Sequence, residues 1–243
     1  MNLHRDGDGI VVLDETLKQH AGEAAWEGIA WIKSGETDVD AARARAWEAQ
    51  ELERFKELRT RLFNDLLPKR YRAYTFESLR VHDGNKAAVT AGKELTVGEN
   101  LFIHGPAGNG KTHVAVATGW RLVNAGHSVE FYGVVDLFNK IRNSFSHPNS
   151  EQHRPNLAAP DVLILDDLGK VKPTDFVFQE IYAALESRWA NEKTTIFTAN
   201  HRASEAAAQL SPDSEGAGAI LSRMASGRVV SVTGQDERLG VRK

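Results

Sequence analysis

At 243 residues and a formal net charge of −3, the chain has room for one core domain and a small appendage, and any hold on nucleic acid must come from local basic patches rather than from the field of the whole surface. It contains no cysteine, which excludes disulfides and cysteine-ligated zinc modules. No apolar run is long enough for a membrane span or a signal peptide, so the expectation is a cytoplasmic protein with no membrane partner.

The first 66 residues carry no phosphate chemistry and read as a separate, all-helical module (1–66) ahead of a core at 67–243. Over Glu15 to Lys33, Leu17, Ala21, Ala24, Ala25, Ile29 and Ile32 fall at helical spacing beside Trp26 and Trp31, until Ser34-Gly35 breaks the pattern. A longer, charge-laced helix is predicted from Asp38 to Leu67, with Leu52, Phe55, Leu58, Leu62 and Leu66 at three- and four-residue steps and Pro68 ending it. Two such helices hold little apolar surface for a core of their own. Either a partner covers one face, with Trp26, Trp31 and Trp47 as anchors, or the pair docks on the core.

The next apolar run, Leu101-Phe102-Ile103-His104, reads as a buried parallel strand, and Thr112 to Val123 as a helix. Between them lies Gly105-Pro106-Ala107-Gly108-Asn109-Gly110-Lys111-Thr112, of the form G-x-x-x-x-G-K-[ST], followed by His113. Glycines at 105, 108 and 110 let successive backbone N–H groups turn inward on an oxyanion, and the helix N-terminus adds its partial positive charge. This is the cradle for a nucleoside triphosphate. Lys111 is placed to reach the β- and γ-phosphates, and the Thr112 hydroxyl to ligate a phosphate-bound Mg2+ ion.

After a strand at Ser128 to Tyr132, a helical stretch presents Val135, Leu137, Phe138, Ile141 and Phe145 as its apolar face, with Lys140, Arg142, Asn143 and Ser144 beside them. A polar, proline-containing loop follows over His147 to Ala158. Val162-Leu163-Ile164-Leu165 is continuously apolar and ends in Asp166-Asp167-Leu168-Gly169. A strand buried on both faces carries such acids to the strand-C-terminal edge of a parallel sheet, where the phosphate loop also lies. Asp166 is then the acid that holds Mg2+ through water, and Asp167 the one that orients the attacking water. The alternative is a plain strand-ending turn. Lys170 and Lys172 follow on a candidate DNA-facing loop. A helix over Asp175 to Asn191 carries core residues Phe178, Ile181, Tyr182, Leu185 and Trp189, and a strand over Thr194 to Ala199 ends at Asn200.

Together these pieces resemble the DnaC/IstB-like AAA+ ATPases, bacterial and phage helicase loaders and transposition helpers. The likeness rests on LPKRYRAYTFESL (67–79), GPAGNGKTHVAVA (105–117), GVVDLFNKIRNSF (133–145), ILDDLG (164–169), TTIFTAN (194–200) and ILSRM (220–224). The resemblance implies an additional-strand α/β core with a five-stranded parallel sheet and no helical lid, and slow ATP hydrolysis stimulated by DNA or a partner. Asn200 then senses the γ-phosphate, Arg223 is a finger reaching a neighbouring subunit's nucleotide in an ATP-bound self-oligomer, and Arg238, after a last strand at Arg228 to Thr233, is a second phosphate-sensing arginine. Tyr71 or Phe76 lines the base pocket or simply packs. Lys140, Arg142 and Phe145 bind single-stranded DNA from a channel-facing helix, or form an ordinary amphipathic helix. The family reading is an ATP-dependent loader that grips a replicative DnaB-type helicase through residues 1–66. A transposition helper on duplex DNA and an ATP-switched adaptor are the alternatives. Asp167 stands where many related ATPases carry glutamate.

Overall fold

The computed structural model describes residues 4–5, 11–12, 38–144, 154–211 and 213–234. The predicted helix at 15–33 with Trp26 and Trp31, the residues Phe145 and Arg238, and most of the loop after 147 lie outside them. The chain divides into two compact units, Met1–Arg61 and Leu62–Lys243.

In the first unit, strands β1 (His4–Arg5) and β2 (Val11–Val12) pair antiparallel. This adds strand to a segment expected to be wholly helical; paired valines suit the pleated surface better than a helix. Helix α1 (Asp38–Leu66) matches the predicted span and continues into the second unit. Its predicted apolar stripe needs correction. Leu52 and Leu62 are exposed, whereas Phe63 and Leu67 are fully buried, so the inward stripe at the end of α1 runs through residues the leucine count did not single out.

The second unit is a five-stranded parallel sheet in the order β4-β5-β6-β3-β7, with helices on both faces. Its strands are β3 (Leu101–His104), β4 (Val129–Gly133), β5 (Val162–Leu168), β6 (Thr194–Ala199) and β7 (Arg228–Ser231). Each of β3, β5 and β6 is buried on both faces, which is why their sequences are continuously apolar rather than alternating. Side chains divide by parity. Leu101, Ile103, Val162 and Ile164 pack against α2 (Lys86–Glu94) and α3 (Lys111–Asn124). Phe102, Leu163 and Leu165 pack against α4 (Val134–Asn143), α5 (Asp175–Ala190), α6 (Ala203–Leu210) and α7 (Ser214–Met224). Each such fully buried large apolar side chain contributes about 1.5–3 kcal/mol.

Helix α4 differs from its predicted face. It starts at Val134, and Val134, Leu137, Phe138 and Ile141 turn inward while Val135, one 100° step away, stays exposed. Lys140 and Arg142 are exposed on the other side.

Parallel connection brings the C-terminal ends of all five strands to one edge of the sheet, and there β5 is irregular. Its pairing with β6 shifts between Leu165 and Leu168, and Asp167 takes a left-handed backbone with φ of 70°. The two acids therefore sit on a bulge, a device that re-aims side chains at the rim of a sheet.

Candidate functional site: a nucleotide loop and two acids on one sheet edge

Strand β3 feeds the phosphate loop directly. Gly105 has φ of 140°, and a Cβ there would collide with the Val232 carbonyl oxygen, so no side chain fits. Gly110 (φ 84°) opens α3, whose first residue is Lys111. Lys111 is buried, and its Nζ donates to the carbonyls of Gly105 and Pro106, both at 2.8 Å. The ammonium is thus already folded over the loop, within reach of an anion seated in it.

Thr112, the next residue, donates its hydroxyl to Asp166 Oδ1 at 2.8 Å. Thr198, near the C-terminal end of β6, donates to the same oxygen at 2.6 Å. The Thr198 hydroxyl also accepts the Asp167 backbone N–H at 2.9 Å. One buried hydroxyl therefore fixes the first acid and satisfies the amide that the bulge frees. Thr198 was read only as part of a strand, two residues before Asn200. Its sole sequence signal is a hydroxyl facing the Asp166 register on the neighbouring strand.

Burial pushes the Asp166 carboxyl above the usual range; hydrogen bonds from Thr198 and Thr112 pull the other way, and the Asp167 charge adds to the rise. A buried acid raised in this way is what a cation relieves, and the Thr112 hydroxyl beside it is the matching oxygen. Among the described residues no group of three or more His, Asp or Glu is gathered to hold an ion alone. The residues fit a magnesium ion carried mainly by phosphates and water.

Asp167 pairs through Oδ2 with Lys170, three residues on. Lys170 is therefore turned toward the site, while Lys172 is exposed. Asn200 follows β6 at the same edge, exposed, directly after Ala199, which pairs with both His104 of β3 and Leu168 of β5. His104 at the head of the loop is held below its usual range, first by burial and then by Arg202 and Lys111, with Glu205 opposing.

The aromatic residues separate. Tyr71, in a short 3-10 turn at Lys69–Tyr71, stacks on Tyr74 at 5.1 Å and meets Phe131 edge-on at 5.8 Å. Burial raises its phenol, and the charges of Asp166 and Asp167 raise it further. Phe76 lies under Gly92 of α2 with Lys93 above its ring at 5.5 Å, a packing position. Tyr74 stacks on His113 at 4.2 Å, and His113 Nε2 is bonded to the Thr75 carbonyl and the Ser78 hydroxyl at 2.9 and 3.1 Å.

Two stretches, one just before α2 and one after β7, close around the loop. The Thr233 N–H donates to the Gly84 carbonyl at 2.9 Å. Asn109 Nδ2 reaches Gly234 O at 3.3 Å, while its buried Oδ1 is left without a hydrogen-bond partner among the described residues. That orphaned acceptor beside the phosphate loop is available to a ligand's donor.

Arg223 lies far from all of this. Its carbonyl accepts from Asn100, the residue before β3, at 3.0 Å, whereas the phosphate loop follows the other end of that strand. Four strand residues put about 13 Å between the two edges.

The family model for IstB-like ATP binding proteins matches residues 59–243. Among curated relatives, the replicative helicase loader DnaC of Buchnera aphidicola is 29% identical over 139 residues, 54% of this chain and 56% of the relative. A putative insertion sequence ATP-binding protein of Sinorhizobium fredii is 29% identical over 134 residues, 54% of this chain and 45% of the relative. The chromosomal replication initiator DnaA of Campylobacter jejuni is 27% identical over 136 residues, 53% of this chain and 31% of the relative. The match thus spans about half or less of these relatives' own lengths. A crystal structure of the DnaC helicase loader superposes with a TM-score of 0.58 at 21% identity, over 68% of this chain and 100% of that one, so the core has the AAA+ P-loop fold. With more than half of its length matched by the family model, the chain belongs to the IstB-like ATP binding proteins.

Proposed function

We propose that the chain is an ATP-dependent loader: it binds a replicative DnaB-type helicase through residues 1–66, holds single-stranded DNA, and releases its cargo when ATP is hydrolysed. The observation that carries the reading is the division of one catalytic set between two opposite sheet edges. The loop and the two acids lie at one edge and Arg223 at the other, an arrangement that suits an ATPase completed by a neighbouring copy.

In this scheme Lys111 exchanges the carbonyls of Gly105 and Pro106 for the β- and γ-phosphates. Thr112 and Asp166 hold the metal, and Asn200 hydrogen-bonds the γ-phosphate or its attacking water. Magnesium, when bound with the nucleotide, neutralises developing phosphate charge. Asp167 takes the role of orienting water once Lys170 yields it, so turnover is slow and conditional. Lys140 and Arg142 are assigned to DNA phosphates, with Phe145, Lys170 and Lys172 as further DNA candidates, and Arg238 is assigned to the nucleotide as a second phosphate-sensing arginine, all from the family pattern.

The similarity to the Buchnera loader supports this choice. The second reading, a transposition helper assembling on duplex DNA, draws on the family's name and the Sinorhizobium insertion-sequence relative. Light scattering of the full chain mixed with the DnaB-type helicase of its own source or host, with ATP, separates the two. A complex lost on removal of residues 1–66 supports the loader. No complex under any nucleotide condition, with filaments forming on duplex DNA, moves the assignment to the helper.

A further inference from the structure

Arg223 does not hang free at its edge of the sheet. Its Nε pairs with Glu186 of α5. Its Nη1 donates to the carbonyl of Ala219, one turn back on α7, at 3.2 Å, and the Trp189 ring lies 5.5 Å from its guanidinium carbon. Nη2 makes no hydrogen bond among the described residues. A guanidinium is a planar fork, and three of its sides are engaged here: the inner edge by a carboxylate, one terminal nitrogen by a carbonyl, and one face by an indole. What remains is Nη2, a donor able to meet a phosphate oxygen.

Trp189 itself is 56% exposed, more than any other large apolar side chain among those described. Expected in the core, it lies four and eight residues after the inward-facing Leu185 and Ile181, in line with their stripe, yet in the last turn of α5 it is left exposed. Its ring thus presents a large apolar surface to solvent directly beside the Arg223 guanidinium.

We infer that Trp189 and Glu186 form, with Arg223, a single contact surface for a second copy of this chain, Glu186 orienting the guanidinium and Trp189 anchoring the neighbouring subunit beside the finger. This rests on the reading of Arg223 as acting across a subunit boundary. The occupant is a second copy because the donor left open at Nη2 suits a nucleotide, and Arg223's own loop lies at the far end of β3. Trp189 and Glu186 are positioning residues: neither is placed to touch the nucleotide.

The test is ATP-dependent self-association of the full-length chain, followed by light scattering over a concentration series with ATP and Mg2+. Arg223→Ala sets the baseline. Trp189→Ala and Glu186→Gln are expected to raise the midpoint concentration about tenfold, with nucleotide affinity and melting temperature unchanged, and Trp189→Phe to recover it to within about threefold. Wild-type association by Trp189→Ala, when Arg223→Ala is impaired, would overturn the contact surface and leave the finger intact. Wild-type association by Arg223→Ala would remove the finger itself, and the surface with it.

Discussion

The Thr198 hydroxyl is the smallest group on which the acid pair depends. It donates to Asp166 and accepts from the Asp167 amide, and it is buried, so no water can replace it. Thr198→Val keeps the shape and deletes both bonds, which should cost about 1–3 kcal/mol of stability and lower kcat for ATP hydrolysis by at least about tenfold. Thr198→Ser, which restores the hydroxyl, should recover most of both. Equal loss in the valine and serine variants would show that packing, not the hydroxyl, matters. Asp166 gives a second handle. Its carboxyl titrates higher in the fold than in the unfolded chain, so the folded state holds the proton longer. This group therefore favours folding at low pH, and that contribution is lost as pH rises from the ordinary carboxylate range through the raised folded value. Asp166→Asn should accordingly melt higher than wild type at neutral pH without magnesium, by about 2–4 °C, and lose the extra stabilisation that magnesium gives with ATP. A lower melting point without magnesium would contradict the burial argument. The backbone at Asp167 also explains a choice of residue. With φ at 70°, the position lies in the left-handed region that Asp and Asn enter more readily than other side chains, so the bulge suits the short acid found in place of glutamate.

At the scale of elements, one helix residue ties together two strands. Arg188 of α5 is fully buried. It donates to Thr195 Oγ1 at 3.0 Å and to the carbonyls of Leu157, Pro160 and Asp161 at 3.0, 2.7 and 3.2 Å, and it also bonds the Thr194 carbonyl. Burial lowers its pKa to about 10, with Glu130 and Asp161 opposing, so it stays charged at neutral pH. These bonds fix the entry of β5 and the start of β6, the strands that deliver Asp166 and Thr198. Arg188→Met should destabilise the core by about 3–5 kcal/mol in urea unfolding, because four carbonyls lose their donor; a loss under about 1 kcal/mol would show that water substitutes. Nothing in the sequence separated Arg188 from a solvated helical arginine, since its partners come from two segments outside its helix, 157–161 and 194–195. By contrast, β3, β5 and β6 were legible because burial on both faces writes an unbroken apolar run, and the phosphate loop because its glycines answer to local backbone geometry. Helices α2, α6 and α7 escaped notice, as their alanine- and glycine-rich sequences, such as KAAVTAGKE and SEGAGAILSRM, carry little periodic contrast. Val135 was misplaced for a related reason: a shift of one residue in where a short helix begins rotates its face.

For the whole molecule, the proposed role of Arg223, set apart from its own loop, would make activity a property of pairs. Lys111→Ala should be inactive through its own site and Arg223→Ala through its neighbour's. Mixed at equal concentration, the two inactive variants are expected to regain about a quarter of wild-type turnover, since some junctions unite an intact loop with an intact finger. No recovery at any mixing ratio would place Arg223 in its own subunit's chemistry or outside it altogether. The net charge of −3 leaves such junctions to local complementarity rather than to general attraction.

The hydrogen bond from Thr233 to Gly84, with Asn109 reaching Gly234, joins segments about 150 positions apart on either side of the phosphate loop. Along the chain these stretches precede β3 and follow β7; in space they are a clasp fastened over the nucleotide's seat. A ligand that tightens the loop therefore also tightens a ring of polypeptide running through the entire sheet. Unfastening either stretch would slacken the seat without touching a single phosphate-binding residue.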